Sequence, residues 1–359
     1  MKQKTIVLTG GGSAGHVTPN IALIEKLREQ SWQTIYIGSK AGIEHQLIKP
    51  LDIDYYSIPV GKLRRYFSWQ NFLDPFKVGL GIVKCCYLCF KLKPQVVFSK
   101  GGFVALPVVI GAWVNKIPII VHESDLTPGL ANKLCFPFAK IICITFAETK
   151  SYLKYPQKAV LTGSPIRPHL LQGDKQRGLT FAKLSTDKPV LLIICGSLGS
   201  KLINEIIRSA LNELLKYFAI IHICGKGNID QSLNNNSNYR QYEYISDELG
   251  DIFACSDLVI SRSGANTLYE LLTLQKPHIL IPLSKLASRG DQIVNANYFK
   301  KIGMSIVLTE ENLNPQTLLE TVNNTYMNLG TIQNKLKEFK NLDSINIIYQ
   351  TLTNLVKYY

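Results

Sequence analysis

No stretch of this 359-residue sequence reads as a membrane-spanning helix. A span needs about 20 consecutive apolar residues. The longest apolar runs are 78–92, interrupted by Lys84, and 103–121, broken by Pro107, Lys116 and Pro118. The start, Met1-Lys2-Gln3-Lys4, leads at once into an apolar strand pattern, so no signal peptide is expected. The eight cysteines are scattered through apolar contexts. The closest group, Cys85-Cys86-Tyr87-Leu88-Cys89, lacks the paired spacing of a zinc site, and buried thiols of a reducing compartment are expected. Neither a carboxylate pair of DxD type nor a histidine cluster occurs, so no metal and no cofactor is expected. Acid is scarce as well: 26 Asp and Glu stand against 40 Lys and Arg, a net charge of +14. Such an excess suits an anionic partner such as nucleic acid, a sugar nucleotide or an acidic lipid surface. With no nucleic-acid module or basic helix in the chain, nucleic acid is the least favoured of these.

What the chain has is a repeated pattern of strand, glycine turn and helix. Four glycine-bearing turns each follow an apolar, β-branched run, two in each half of the chain. They are Gly10-Gly11-Gly12-Ser13-Ala14-Gly15-His16, Lys100-Gly101-Gly102-Phe103, Cys195-Gly196-Ser197-Leu198-Gly199-Ser200 and Arg262-Ser263-Gly264-Ala265-Asn266-Thr267. A strand that feeds a helix through such a turn gathers backbone N–H groups and a positive helix end at one point, which suits phosphate. Strands are expected over 5–9, 34–37, 96–98, 117–121 and 141–145, then over 190–195, 219–224, 242–245, 258–261 and 278–281. Helices are expected over 19–30, capped by Thr18, over 201–217, over 267–274 and over 344–359. This alternation predicts an α/β protein of two doubly wound, mostly parallel sheets facing a cleft. The expected boundaries are 1–165 and 166–343, with the helix 344–359 closing the second domain or crossing back to the first.

Individual residues suggest chemistry, each beside a plainer role. Gly10, Gly12 and Gly15 match a dinucleotide fingerprint, but the second strand ends Tyr36-Ile37-Gly38-Ser39, without the acid that would hold a ribose. An NAD or FAD site is therefore not expected. His16, where the turn meets the helix, can take a proton from a hydroxyl or simply cap the structure. His122 and Glu123 end an apolar strand and are expected to support the loop behind Asp125, which is better placed to touch substrate. Arg167 suits a phosphate or a solvated linker. Ser197 suits a diphosphate, Glu270 the two hydroxyls of a ribose, and Asp291 and Gln292 sugar hydroxyls. The basic and aromatic stretch 62–69, followed by Phe72, Phe76, Val78, Leu80 and Ile82, suits an anionic membrane face, or else a core helix behind a basic loop.

Taken together and in order, these motifs identify the chain as similar to glycosyltransferase family 28. The resemblance rests on Gly-Gly-Ser-Ala-Gly-His-Val-Thr-Pro at 11–19, Gly-Gly-Phe-Val-Ala-Leu-Pro at 101–107 and His-Glu-Ser-Asp-Leu-Thr-Pro-Gly-Leu-Ala-Asn-Lys at 122–133. It continues in Gly-Ser-Pro-Ile-Arg at 163–167, Gly-Ser-Leu-Gly-Ser at 196–200, Ser-Arg-Ser-Gly-Ala-Asn-Thr at 261–267 and Ser-Arg-Gly-Asp-Gln at 288–292. It implies a GT-B fold of two Rossmann-like domains. It also implies inverting transfer of GlcNAc from UDP-GlcNAc to the C4 hydroxyl of MurNAc in undecaprenyl-diphospho-MurNAc-pentapeptide (lipid I), giving lipid II for peptidoglycan. A GT-B transferase acting on another lipid, such as diacylglycerol, is the alternative.

By motif position, UDP-GlcNAc would meet Arg167, Ser197, Ile245, Ala265, Asn266, Thr267, Leu268, Glu270 and Gln292, with Ser13, Ala14, Gly15 and Asp125 on the acceptor side. The resemblance places the enzyme peripherally on the cytoplasmic face of the bacterial plasma membrane. The resemblance makes His16 the first candidate for the base; where many members carry Gln-Asn this chain has Ser124-Asp125, so Asp125 is the alternative base or another sugar contact.

Overall fold

The computed structural model describes residues 3–61, 70–185, 187–196, 198–234, 236–285 and 288–357, with side chains from Asp74 onward in the helix Gln70–Leu92. The chain divides into two compact units, 1–167 with 342–359, and 168–341.

The first unit holds a parallel sheet of seven strands: β1 (Thr5–Thr9), β2 (Gln33–Ser39), β3 (Asp54–Ile58), β4 (Val96–Ser99), β5 (Ile119–Glu123), β6 (Ile141–Ile144) and β7 (Ala159–Leu161). Their spatial order is β3-β2-β1-β4-β5-β6-β7. Residues alternate between the two faces of β1, as the strand period of two requires. Val7 joins Ile35, Val97, Val121 and the buried face of the helix Gln70–Leu92 on one side. Ile6 and Leu8 join Leu23, Leu27, Phe98, Ile348 and Leu352 on the other. The last two belong to the helix Ser344–Lys357, which is thus part of the first unit's core. With both faces covered, the strands read as unbroken apolar runs.

The second unit repeats the design with six parallel strands: β8 (Val190–Ile194), β9 (Ala219–Ile223), β10 (Tyr239–Tyr242), β11 (Leu258–Ser261), β12 (His278–Leu280) and β13 (Ile306–Val307), in the order β10-β9-β8-β11-β12-β13. Each sheet reverses its winding between its first strand and its fourth, at β1/β4 and at β8/β11. In open α/β sheets ligands bind outside the carboxyl ends of the strands at this reversal. All four glycine turns lie there.

The structure differs from the sequence expectation in several elements. The polar edge strand β3 and the short β7 and β13 carry too few apolar residues to be seen in the sequence. Strand β10 ends at Tyr242, so Ile245 follows it in a loop rather than closing it. The helix expected over 201–217 is two helices, Lys201–Ser209 and Leu211–Tyr217, although hydrogen bonds bridge the break at Ala210. Thr18 does not cap the helix Thr18–Glu29; its hydroxyl donates back to the Ala14 carbonyl at 2.8 Å. Among the described residues no helix is long and apolar enough to cross a membrane.

Candidate active site

In the first unit the turns after β1 and β4 interlock. Lys100 N donates to the Thr9 carbonyl (2.8 Å) and Gly11 N to the Gly101 carbonyl (3.3 Å). Gly102 has φ +83°, and a Cβ there would lie 1.9 Å from the Gly11 carbonyl oxygen, so both backbone conformation and space require glycine. The first turn is held from beneath by Glu44, a buried carboxylate on the helix Ile43–Ile48. Glu44 accepts from Gly12 N (3.3 Å), Ser39 N (3.0 Å) and the Ser39 hydroxyl. Tyr36 adds a 2.7 Å hydrogen bond from its hydroxyl to the Gly10 carbonyl. An acid does therefore stand just past β2, five residues beyond Ser39, but it is turned inward onto the loop and is not offered to a ribose. Sequence reasoning missed it because its position on a helix, not at the strand end, hides it.

His16 ends the short 3-10 turn Ala14–His16, with its Nδ1 3.0 Å from Ser13 Oγ. With either ring nitrogen able to donate or accept, the ring has the chemistry to take a hydroxyl proton. Ser13 is exposed, and Ala14, Gly15 and His16 are half-buried.

At the end of β5, His122 and Glu123 are buried and face inward, while Asp125 is half-buried in the turn that follows. Glu123 accepts from Asp125 N (3.0 Å), Gly129 N (3.0 Å) and Asn132 Nδ2 (2.8 Å), which fixes the whole turn 124–129 on one carboxylate. His122 donates from Nε2 to the Gly163 carbonyl at 2.8 Å. Burial, reinforced by the Lys100 charge, holds His122 well below its ordinary pKa, so it stays neutral and works as a strut. Four residues beyond Gly163, Arg167 is half-buried with its Nε lacking a hydrogen-bond partner.

The second unit is tied by a cation instead. Arg262, just past β11, donates to Ser200 Oγ (2.8 Å) and the Ile281 carbonyl (3.0 Å), and pairs with Glu310 at 2.6 Å. One guanidinium thus joins the turns after β8, β11, β12 and β13. Burial alone would raise the Glu310 pKa, but the Ser284 N–H and Arg262 outweigh it and hold that carboxyl below its usual range. Gly199, at φ +69°, packs so closely that a Cβ would meet the Cys224 carbonyl oxygen at 1.8 Å.

Ser200 caps the helix Lys201–Ser209, whereas the helix Ala265–Thr273 starts from Gly264 with no side chain capping it. Its first turn, Ala265–Thr267, carries the positive helix end, and half-buried Glu270 follows on the same helix. Gln292 is held by its carbonyl oxygen, which accepts from Leu283 N at 3.1 Å, with Nε2 lying toward Gly264. Asp291 pairs with Arg289 at 3.2 Å. The side chains of Leu268 and Ile245 are buried, so any ligand contact they make is through backbone. Ser197 and the stretch 62–69 lie outside the described residues.

Two parallel sheets of one strand order, each with paired glycine turns at its reversal, define a nucleotide-sugar enzyme of the GT-B type. The chain belongs to glycosyltransferase family 28: residues 6–144 match the family's N-terminal domain and residues 190–349 its C-terminal domain. It is 56% identical over 348 residues, 97% of each chain, to the UDP-N-acetylglucosamine--N-acetylmuramyl-(pentapeptide) pyrophosphoryl-undecaprenol N-acetylglucosamine transferase of Clostridium perfringens (strain SM101 / Type A). It is 54% identical over 336 residues to the protein of the same name from Legionella pneumophila (strain Paris), covering 94% of this chain and 93% of that one. Among solved structures, Acinetobacter baumannii MurG shares the fold with a TM-score of 0.77 at 24% identity, over 98% of this chain and 99% of that one.

Proposed function

We infer that this enzyme transfers GlcNAc from UDP-GlcNAc to the C4 hydroxyl of MurNAc in lipid I, forming lipid II. The observation that carries this reading is near-full-length identity above half to transferases of that name, combined with intact turns at both sheet reversals. In the reaction the C4 oxygen attacks the anomeric carbon of GlcNAc, the bond from that carbon to the diphosphate breaks, and the configuration inverts. The hydroxyl proton passes to a base, and UDP leaves as an anion.

The first turn Ala265–Thr267, which starts from Gly264, is suited to the diphosphate. Glu270 is assigned to the ribose hydroxyls, and Gln292 Nε2 to donor hydroxyls. His16 and Asp125 are the two candidate bases. The deciding assay is transfer of radiolabelled GlcNAc from UDP-GlcNAc to a lipid I analogue, run beside diacylglycerol. Transfer to diacylglycerol alone would overturn the acceptor assignment.

The helix Gln70–Leu92 supports a peripheral membrane position. Phe76, Leu80, Val83, Tyr87 and Phe90 form one stripe, each 60–74% exposed, while Cys85, Leu88 and Cys89 on the opposite face are buried. Exposed Lys77, Lys84, Lys91 and Lys93 flank the stripe. An apolar stripe rimmed by cations matches an anionic bilayer surface. Val78 and Ile82, half-buried, lie on the side of Cys85 and Cys89. Co-sedimentation with anionic vesicles should fall when Phe76, Leu80 and Phe90 are changed together to serine. Unchanged sedimentation would remove this surface from the reading.

A further inference from the structure

Glu310 takes no part in the chemistry above, yet its carboxylate is divided between two tasks. Oε1 pairs with Arg262, and Oε2 accepts the Ser284 N–H at 2.9 Å. The side chains of Arg262 and Glu310 are only 12% and 14% exposed, so water screens the pair less than one on the surface. Ser284 stands in the turn after β12, next to Leu283, whose N–H donates to Gln292 Oε1 at 3.1 Å. Only the oxygen of an amide side chain accepts such a bond, so this contact distinguishes the two ends of the Gln292 amide. It leaves Nε2 as the end toward Gly264, where a Cβ would lie 3.9 Å from it. The Gln292 backbone is fixed separately, by the Ser263 hydroxyl donating to its carbonyl oxygen at 2.8 Å. The segment 283–284 therefore sets the side chain rather than the helix Asp291–Lys301 that carries it. A loose glutamine loses rotamer freedom when it grips a ligand, and one already held loses less.

We propose that Glu310 is a positioning residue for the donor sugar: it anchors the segment 283–284 to Arg262, and that segment holds the Gln292 amide with Nε2 as the donor offered to a sugar hydroxyl. The proposal rests on the assignment of Gln292 to the hydroxyls of the donor. A carboxylate suits the task because both of its oxygens accept, so one receives the guanidinium while the other receives the N–H. Arg262 keeps Ser200 Oγ and the Ile281 carbonyl as further acceptors, so the turns after β8 and β12 stay joined when Glu310 is removed.

The test uses the full-length enzyme with Glu310→Ala, assayed for GlcNAc transfer to a lipid I analogue with UDP as a competing inhibitor. The expected result is a donor KM raised about fivefold or more, the worth of one hydrogen bond. The UDP inhibition constant should stay within about twofold of wild type, because UDP carries no sugar for Gln292 to hold. An unchanged donor KM overturns the proposal. So does UDP weakened as much as UDP-GlcNAc, which would make Glu310 a support of the whole site. In Gln292→Ala, the further change Glu310→Ala should alter the donor KM by less than about twofold, and effects that multiply overturn the link. A measurement on wild type does not depend on the variant folding. The Leu283 and Ser284 amides should exchange hydrogen slowly, and more slowly with UDP-GlcNAc bound than with UDP. Exchange at the rate of an unprotected amide, or the same rate with either ligand, overturns the proposal. The two assignments fail differently. If Gln292→Ala keeps the wild-type donor KM, the sugar role of Gln292 is wrong and this proposal falls with it; if it raises KM while Glu310→Ala does not, only the positioning role is wrong.

Discussion

The two sheets share one strand order, but the loops at their reversal points are held in opposite ways. In the first unit buried carboxylates collect backbone N–H groups: Glu44 beneath Gly12 and Glu123 beneath the turn 124–129. The helix Thr18–Glu29 is preceded by a 3-10 turn whose own backbone closes the hydrogen bonds, His16 N to Ser13 O and Val17 N to Ala14 O. In the second unit a half-buried guanidinium, Arg262, gathers carbonyl and hydroxyl oxygens, and the helix Ala265–Thr273 starts from glycine, which has no side chain to cap it. A helix end whose donors are already used, above buried carboxylates, is a poor anion site. One left uncapped beside an arginine is a good one. The proposed function assigns the acceptor hydroxyl and its base to the first of these surfaces and the diphosphate to the second.

The largest effect should come from the base. General-base removal costs roughly 10²–10⁴ in kcat. His16→Ala is expected to show that loss with little change in UDP-GlcNAc affinity, and Asp125→Asn a smaller one. The reverse ranking would move the base to Asp125, and normal turnover in both would break the acceptor-side assignment. Next comes Glu270→Ala, for which the donor KM should rise about tenfold or more, the worth of a hydrogen bond to a charged group. A donor KM unchanged by this substitution would argue against the ribose role.

The contrast in capping can be tested directly with Gly264→Asp. A Cβ at Gly264 meets nothing nearer than Gln292 Nε2 at 3.9 Å, and Gly264 φ is −63°, so aspartate fits. It would cap the helix, adding about 1 kcal/mol of stability, while placing a negative charge where the diphosphate is assigned. The expected outcome is a higher melting temperature together with a donor KM raised several-fold. Tighter folding with an unaltered KM would show that the diphosphate lies elsewhere.

Much of this arrangement was legible in the sequence because strand ends and glycine turns are local signals. The four turns, the strands that feed them and the supporting roles of His122 and Glu123 follow from apolar runs ending in polar residues. The missing elements fail for physical reasons. Strand β3, Asp-Tyr-Tyr-Ser-Ile, is an edge strand without a continuous apolar run, and β13 is two residues long. Glu44, Lys100 and Arg262 escaped because a charged residue reads as surface until the fold shows what surrounds it. Lys100 lies inside one of the turns that the sequence did single out, and only its burial and its hydrogen bonds to His122 and Ser124 set it apart from a surface lysine. The apolar stripe on Gln70–Leu92 was visible as composition, but which face is exposed depends on the packing of Cys85, Leu88 and Cys89.

The smallest effect separates the units by their buried charges and is read in stability alone. The folded protein binds the Lys100 proton more weakly than the unfolded chain does, with a pKa of about 7 against an ordinary 10.5. Between those values the unfolded chain carries more protons, so stability rises with pH. Other groups bound the useful window. Burial lowers His222 and His278 to about 3 and about 4, so their contributions are complete once pH passes their ordinary 6.5. Thiols such as Cys135 and Cys195 are pushed up from 9.0 to about 12, so above pH 9 they ionise only in the unfolded chain and stability falls. Between pH 7 and 9 wild type should therefore gain about 2 kcal/mol of stability relative to Lys100→Met, read by denaturant unfolding of both proteins, because the loss from the thiols is common to the two. Parallel curves for the two proteins would mean that the first unit holds no titrating cation at its reversal point.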